Sequence, residues 1–134
     1  MNAPDTSVLV AAFARWHERH DQARAAVQDS SILIGHVAVE TFSVLTRLPP
    51  PRRANPGLVV EFVSHHFPDP PVVLDRGGYR LLLSTGVEQR ISGGAIYDAL
   101  IAATAASHGA TLLTLDRRAI AVYGAMGADH RLVS

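Results

Sequence analysis

Cysteine and lysine are both absent from this chain of 134 residues, and aromatic residues make up only 6% of it. Without cysteine, the chain can form neither a disulfide scaffold nor a metal site built on thiolates. All 12 basic residues are therefore arginine, and 12 acids balance them to a net charge of zero. This balance excludes the global basic field that drives non-specific binding to nucleic acid.

Long apolar runs are also missing, since none approaches the ~18 residues that a membrane helix needs. The apolar stretch at residues 8–14 lacks the basic N-terminal region of a signal peptide, so we expect a cytoplasmic protein with no membrane segment. Apolar residues make up 48% of the chain, which excludes a disordered polypeptide. A second core would leave each half marginal, so we expect residues 1–134 to form a single domain.

Short apolar runs of strand length alternate with stretches in which apolar residues recur at helical spacing. We predict strands at five places: 1–5, 31–34, 72–74, 111–115 and 131–133. This alternation predicts an α/β fold of three layers, in which helices flank a five-stranded parallel sheet with the usual order 3-2-1-4-5. Pro4 is the misfit, because a proline in a central strand donates no ladder hydrogen bond.

Four acids occupy apolar surroundings at strand ends or near helix starts: Asp5, Glu40, Asp98 and Asp116. Each aspartate taken singly has a simpler explanation, because aspartate caps helices and meets the helix dipole favourably. However, the carboxyl ends of parallel strands meet at one edge of a sheet. We therefore expect the four acids to converge, and their mutual repulsion would require a cation. Oxygen ligands without cysteine favour Mg²⁺ or Mn²⁺ over Zn²⁺.

The segments around these acids resemble the motifs of the PIN domain family, and most of all those of the VapC toxins. These toxins are the ribonuclease half of bacterial toxin–antitoxin pairs. The resemblance rests on four segments that occur in order along the chain: Asp-Thr-Ser at 5–7, Val-Ala-Val-Glu-Thr at 37–41, Tyr-Asp-Ala-Leu-Ile-Ala-Ala-Thr-Ala at 97–105, and Thr-Leu-Asp at 114–116. It implies a PIN-like fold, a homodimer, and a functional quartet formed by the four acids. It also implies supporting hydroxyl groups at Thr6, Ser7 and Thr114.

For function, the resemblance implies a Mg²⁺-dependent endoribonuclease, in which Mn²⁺ can replace Mg²⁺. Such an enzyme hydrolyses RNA phosphodiester bonds with a metal-activated water. We expect Asp5 and Asp98 to bind the metal directly, with Glu40 and Asp116 acting through water or at a second ion. The arginine pair that follows Asp116 departs from the family pattern and weakens the case for a second ion. A cognate antitoxin is implied as the partner, inserting an arginine at the acidic site.

Two other functions stay open at this point. One is a catalytically inactive PIN-like module that binds RNA or regulates, because Pro4 disturbs the strand that positions Asp5. The other is an unrelated α/β phosphohydrolase, although a haloacid-type phosphatase needs a second aspartate where Ser7 stands. Asp75 also ends a predicted strand, but that strand is an outer one, so we expect Asp75 to cap a helix.

Overall fold

The computed structural model describes residues 1–134, and it contains seven helices and three short strands. The strands are β1 (Asn2–Pro4), β2 (Thr111–Thr114) and β3 (His130–Leu132). The helices are α1 (Thr6–Phe13), α2 (His20–Gln28), α3 (Gly35–Thr46), α4 (Pro56–His66), α5 (Arg76–Glu88), α6 (Ala95–Ser107) and α7 (Ala119–Ala125). None of these helices has the length and apolar character needed to cross a membrane.

The three strands form one parallel sheet in which β2 lies between β1 and β3. Ala3 pairs with Leu112, and Leu113 pairs with Arg131, so the register runs continuously across the sheet. The prediction of an α/β fold with helices flanking a parallel sheet is confirmed. The prediction of five strands is wrong, because only three segments form ladders.

The segments predicted as the second and third strands meet in a single parallel bridge between Ile34 and Val72. The first of these segments also contacts β1, because Ser31 N donates to Asn2 O at 3.0 Å. Both segments therefore lie on the side of β1 away from β2. They keep the predicted order of neighbours without the hydrogen-bond ladder of a strand.

Pro4 provides a physical reason for this shortened sheet. Met1 O accepts a hydrogen bond from β2 at 2.8 Å, and Asp5 N donates to Leu113 O at 2.9 Å. The backbone groups of Met1 and Asp5, which flank β1, therefore point toward β2, as do those of the odd-numbered position between them. Backbone groups alternate in direction along a strand, so position 4 faces the opposite side, where Pro4 has no N–H to donate. The proline leaves the pairing with β2 intact and removes the donor that the predicted second strand would need.

The core is built mainly from small and aliphatic side chains around α1, which packs against α2, α3 and the sheet. Its buried residues are Val8, Leu9, Ala11 and Ala12. In α6 the alanines at 99, 102 and 105 are buried as well, and their small side chains let this helix lie close to its neighbours. This packing holds the N-terminal ends of α1 and α6 near the carboxyl ends of β1 and β2.

Gly86 lies inside α5, which continues through it to Glu88 although glycine is unfavourable in the interior of a helix. A Cβ atom at Gly86 would lie 3.3 Å from Ile96 Cδ1, so this glycine permits close packing of α5 against α6. Asp75 caps α5 as predicted, because its Oδ1 accepts a hydrogen bond from Gly78 N at 2.6 Å.

Candidate active site

A cleft of about 660 Å³ contains all four acids that the sequence analysis singled out. Asp5 directly follows β1, and Asp116 follows β2 after one intervening residue. Asp98 lies in the first turn of α6, and Glu40 lies in the second turn of α3. The parallel pairing of β1 with β2 brings their carboxyl ends to one edge of the sheet, which explains why residues so distant in sequence share this cleft.

Asp5 is the most deeply buried of the four, with 2% of its surface exposed. Its Oδ1 accepts hydrogen bonds from the Ser7 hydroxyl at 2.6 Å and from Val8 N at 3.2 Å, so it caps α1. Its Oδ2 accepts a hydrogen bond from the Tyr123 hydroxyl at 2.7 Å. Burial raises the pKa of Asp5 above its usual range, because the lowering effect of these hydrogen bonds is smaller. Asp5 is thus both a helix cap and a lining residue of the cleft.

Tyr123 is a residue of this site that the sequence analysis missed. It lies on α7 and is 1% exposed. Burial, and then the nearby charge of Asp5, raise the pKa of Tyr123 well above its usual value, so its hydroxyl stays protonated and acts as a donor. A tyrosine in a short apolar helix has the pattern of an ordinary core residue. No local signal in the sequence connected it with Asp5.

Two hydroxyl groups join the ends of β1 and β2. Ser7 Oγ accepts a hydrogen bond from Leu115 N at 2.9 Å and lies 3.5 Å from Thr114 Oγ1. Thr114 Oγ1 in turn accepts from Asp116 N at 3.0 Å. These bonds hold the two strand ends, and the acids that follow them, in a fixed relation.

Glu40 is held through one of its two oxygens. The Thr6 hydroxyl donates to Glu40 Oε1, whereas His36 Nε2 lies 3.6 Å from Glu40 Oε2 without forming a hydrogen bond. The His36 ring stacks on Tyr97, with ring centroids 5.3 Å apart and planes inclined by 3°. Neither His36 nor Tyr97 was assigned a role at this site from the sequence, although Tyr97 begins the segment at 97–105 that contains Asp98. The four-residue spacing of His36 and Glu40 on one helix face was an available signal, as was the position of Tyr97 next to Asp98.

Acids outnumber cations in the cleft, because Glu18 also lines it and its only arginines are Arg19 and Arg118. Asp98 forms no ion pair, and its pKa is raised by partial burial and then by the charges of Glu40, Asp116 and Asp5. Asp116 accepts a hydrogen bond from Arg118 N at 2.9 Å and lies 3.7 Å from Arg118 Nε. The Arg118 side chain is 96% exposed, so water screens this pair and it offsets little of the repulsion.

The donor set fits a hard divalent cation. Its ligands would be carboxylate oxygens, which Mg²⁺ and Mn²⁺ prefer. No three acidic or histidine side chains lie close enough to hold an ion by themselves. Mg²⁺ does not require this, because it usually keeps several waters and takes one or two carboxylates directly. The unpaired Asp98, surrounded by three further acids, is the local excess of negative charge that such a cation would relieve.

Comparison with known proteins identifies the family. The PIN domain family model matches residues 3–125. Ribonuclease VapC40 of Mycobacterium tuberculosis is 47% identical over 134 residues, which cover the whole of both chains. Ribonuclease VapC27 of the same species is 37% identical over 126 residues, which cover 93% of this chain and 91% of that protein.

Two solved structures share the fold. The structure of FitAB bound to an IR36 DNA fragment superposes with a TM-score of 0.71 at 15% identity, covering 98% of this chain and 94% of the other. FitAcB from Neisseria gonorrhoeae gives a TM-score of 0.70 at 18% identity, with coverages of 97% and 96%. The resemblance inferred from the sequence motifs is confirmed. Because the family model spans most of the chain and two VapC proteins align with at least 93% of it, the chain belongs to the PIN domain family and, within it, to the VapC ribonucleases.

Proposed function

We propose that this protein is a Mg²⁺-dependent endoribonuclease that acts as the toxin of a toxin–antitoxin pair. The observation that carries the proposal is the convergence of four carboxylates in one cleft, where Asp98 has no ion-pair partner. The two VapC relatives are named ribonucleases, which supports RNA as the substrate. In this proposal residues 1–134 act as one catalytic domain in the cytoplasm.

The roles of the acids follow from their surroundings. Asp5 and Asp98 would hold the ion directly, and Glu40 and Asp116 would act through water or at a second ion. When bound, Mg²⁺ supplies charge stabilisation for phosphoryl oxygens and lowers the pKa of a bound water.

The chain's own hydrogen bonds preorganise these acids. Ser7 and Tyr123 each bond to a different oxygen of Asp5, so the carboxylate is fixed in one orientation. The Thr6 hydroxyl restrains one oxygen of Glu40 and leaves the other free of hydrogen bonds. Carboxylates held in this way need little reorganisation when a ligand binds, which is how supporting bonds improve a metal site.

Cleavage of RNA by the purified protein tests the proposal. We expect cleavage in Mg²⁺ or Mn²⁺, none in EDTA, and none with Asp98→Asn. Asp69→Asn is a matched control, because Asp69 is an exposed acid outside the cleft and its replacement should leave cleavage unchanged.

The same assay separates the alternatives. A catalytically inactive PIN-like module would bind RNA and leave it intact with every metal. An unrelated phosphohydrolase would hydrolyse a phosphomonoester such as p-nitrophenyl phosphate and leave RNA intact. Either result would contradict the proposed ribonuclease activity.

The proposed partner is a small antitoxin that inserts an arginine among the four acids. A guanidinium group is always charged and forms paired hydrogen bonds with carboxylates, so it suits this site. Because the arginine would compete with the metal, we expect raised Mg²⁺ to weaken inhibition in the purified complex. Replacing that arginine with alanine should remove the inhibition. Inhibition that is indifferent to both changes would show that the antitoxin blocks the RNA path elsewhere.

We also propose that the free protein is a homodimer, as the family resemblance implies. Exposed apolar side chains on α5 support this, because Leu83 and Val87 lie one helical turn apart and are 61% and 81% exposed. Apolar side chains exposed together on one helix face are typical of interaction sites. Analytical ultracentrifugation of the free protein measures the oligomeric state, and a monomer at micromolar concentration would contradict the proposal.

A further inference from the structure

The rings of His36 and Tyr97 are parallel and offset, with centroids 5.3 Å apart and planes inclined by only 3°. His36 lies on α3, one turn before Glu40, and its Nε2 is 3.6 Å from Glu40 Oε2. Tyr97 directly precedes Asp98 on α6. The stacked pair therefore connects the two helices that carry these acids.

Tyr97 is exposed in spite of this contact. His36 packs against the Tyr97 ring with its plane parallel, yet 52% of the tyrosine remains accessible to solvent. An exposed fraction this large leaves part of the ring free for a further contact. His36 is the more buried partner, with 24% of its side chain exposed. The result is a largely exposed aromatic ring that is braced by a parallel, more buried histidine and directly precedes an acid of the cleft.

RNA bound at this cleft needs a contact that does not depend on charge. The chain has no net charge and no lysine, and five acids line the cleft against two arginines, Arg19 and Arg118, so the cleft repels phosphate groups on balance. Neutralisation of phosphates, which dominates most nucleic-acid binding, is therefore weak here. Stacking of an unpaired base on an aromatic ring is independent of net charge and tolerates every base.

We propose that the exposed ring of Tyr97, braced by His36, stacks on an unpaired RNA base that flanks the scissile phosphate. Tyr97 touches the base, and His36 is a positioning residue that acts through Tyr97. This inference rests on the proposed ribonuclease function and names how that site holds its substrate. It makes single-stranded RNA the preferred substrate, because a base inside a duplex has no free face to offer.

Kinetics on single-stranded RNA tests the role of the ring. Tyr97→Leu keeps the apolar bulk and removes the ring, and we expect KM to rise about 10-fold, the effect of losing one stacked base. The loss should fall on KM rather than on kcat, and Tyr97→Phe should restore most of the affinity. Tyr79→Leu is the matched control, because Tyr79 is an exposed tyrosine on α5 and neither of its neighbours in the chain lines the cleft. A fall in kcat together with a lower melting temperature, at unchanged KM, would show that the ring only supports the fold.

Substrates that lack one base test the contact itself. The cleavage site is first mapped with the wild-type protein, and each flanking nucleotide is then replaced by an abasic one. At one position, we expect the abasic substrate to lose about as much affinity as Tyr97→Leu. Combining the two changes should cause no further loss, because both remove the same contact. Fully additive losses at every position would overturn the proposal.

Binding without cleavage separates this inference from the proposed function. RNA carrying 2-aminopurine at that position loses fluorescence when the base stacks, and this is measured in EDTA, where no cleavage is expected. We expect quenching with wild-type protein and with Tyr97→Phe, and none with Tyr97→Leu. If the protein quenches the fluorescence but cleaves no RNA in any metal, the ribonuclease proposal is overturned and base stacking on Tyr97 stands. If Tyr97→Leu cleaves RNA normally and quenches as much as the wild type, base stacking on Tyr97 is overturned and the ribonuclease proposal stands.

Discussion

The Tyr123 hydroxyl donates a 2.7 Å hydrogen bond to Asp5 Oδ2, although the two residues are 118 positions apart in the chain. The other oxygen of the same carboxylate is bonded by Ser7, only two residues away. One oxygen of this carboxylate is therefore bonded by a neighbour in the chain, and the other is bonded by a residue that reaches it only because α7 packs against the site.

Tyr123→Phe should lower the free energy of unfolding by about 2 kcal/mol at pH 8, because it removes a buried hydrogen bond to a carboxylate. The loss should be smaller at pH 4, since the raised pKa of Asp5 favours its neutral form there and hydrogen bonds between neutral groups are weaker. Urea unfolding at the two pH values measures both losses. Tyr79→Phe changes an exposed tyrosine and should have little effect. Equal losses at pH 4 and pH 8 would show that the protonation of Asp5 does not influence the bond.

Asp98→Asn should not lower the melting temperature of the metal-free protein, because it removes one of four repelling carboxylates. The same change should abolish the rise in melting temperature that Mn²⁺ produces in the wild type. A metal ion raises the melting temperature only if it binds the folded protein, and we expect Asp98→Asn to remove that binding. Thermal melts with and without Mn²⁺ measure both effects, with Asp69→Asn as control. A variant that melts many degrees lower without metal would show that Asp98 is structural.

The stability of the metal-free protein should depend on pH through Asp98. The pKa of Asp98 in the folded state lies above its ordinary value of 3.8. At pH values between 3.8 and this raised pKa, the folded protein therefore binds more protons than the unfolded chain. The contribution of Asp98 to stability therefore falls as pH rises through this window. We expect Asp98→Asn to gain stability relative to the wild type between pH 4 and pH 8, as measured by urea unfolding. A relative loss over this range would mean that the folded state favours the charged carboxylate.

Binding of single-stranded RNA should depend only weakly on salt. The 12 arginines are balanced by 12 acids, which leaves no overall excess of basic groups to neutralise phosphates. We expect the slope of log affinity against log salt concentration to be shallower than about −4, the value for roughly four or more phosphate contacts. Fluorescence anisotropy in EDTA measures this slope without cleavage. A steeper slope would reveal a local arginine surface that the net charge conceals.

Much of the candidate site was predictable from the sequence, because its parts have local signals. Asp5 and Asp116 follow apolar runs of strand length, and Asp98 opens an apolar helix, so parallel topology alone places them at one edge. Of the three supporting hydroxyl residues, Thr6 and Ser7 line the cleft, and Thr114 is buried with its Oγ1 3.5 Å from Ser7 Oγ. The roles of these residues and of the acids in metal binding and catalysis stay predictions.

The extent of the sheet was less predictable. The apolar run at 31–34 has the composition of a strand, but a ladder also requires a neighbour with a donor in register. Pro4 lacks that donor on the side that faces this run, and which side it faces depends on the register of β1 with β2. The misfit of Pro4 was visible in the sequence, whereas its consequence was not.

The sequence by itself determined the alternation of elements, the family and the four acids, because periodicity, capping and short motifs are encoded within a few neighbouring residues. Only the tertiary structure decided that Tyr123 bonds to Asp5 and that His36 stacks on Tyr97. Each of these pairs joins elements far apart in the chain, and their contact depends on how α6 and α7 pack against the rest of the protein. No local pattern records such a distance, because it results from the packing of the whole core at once.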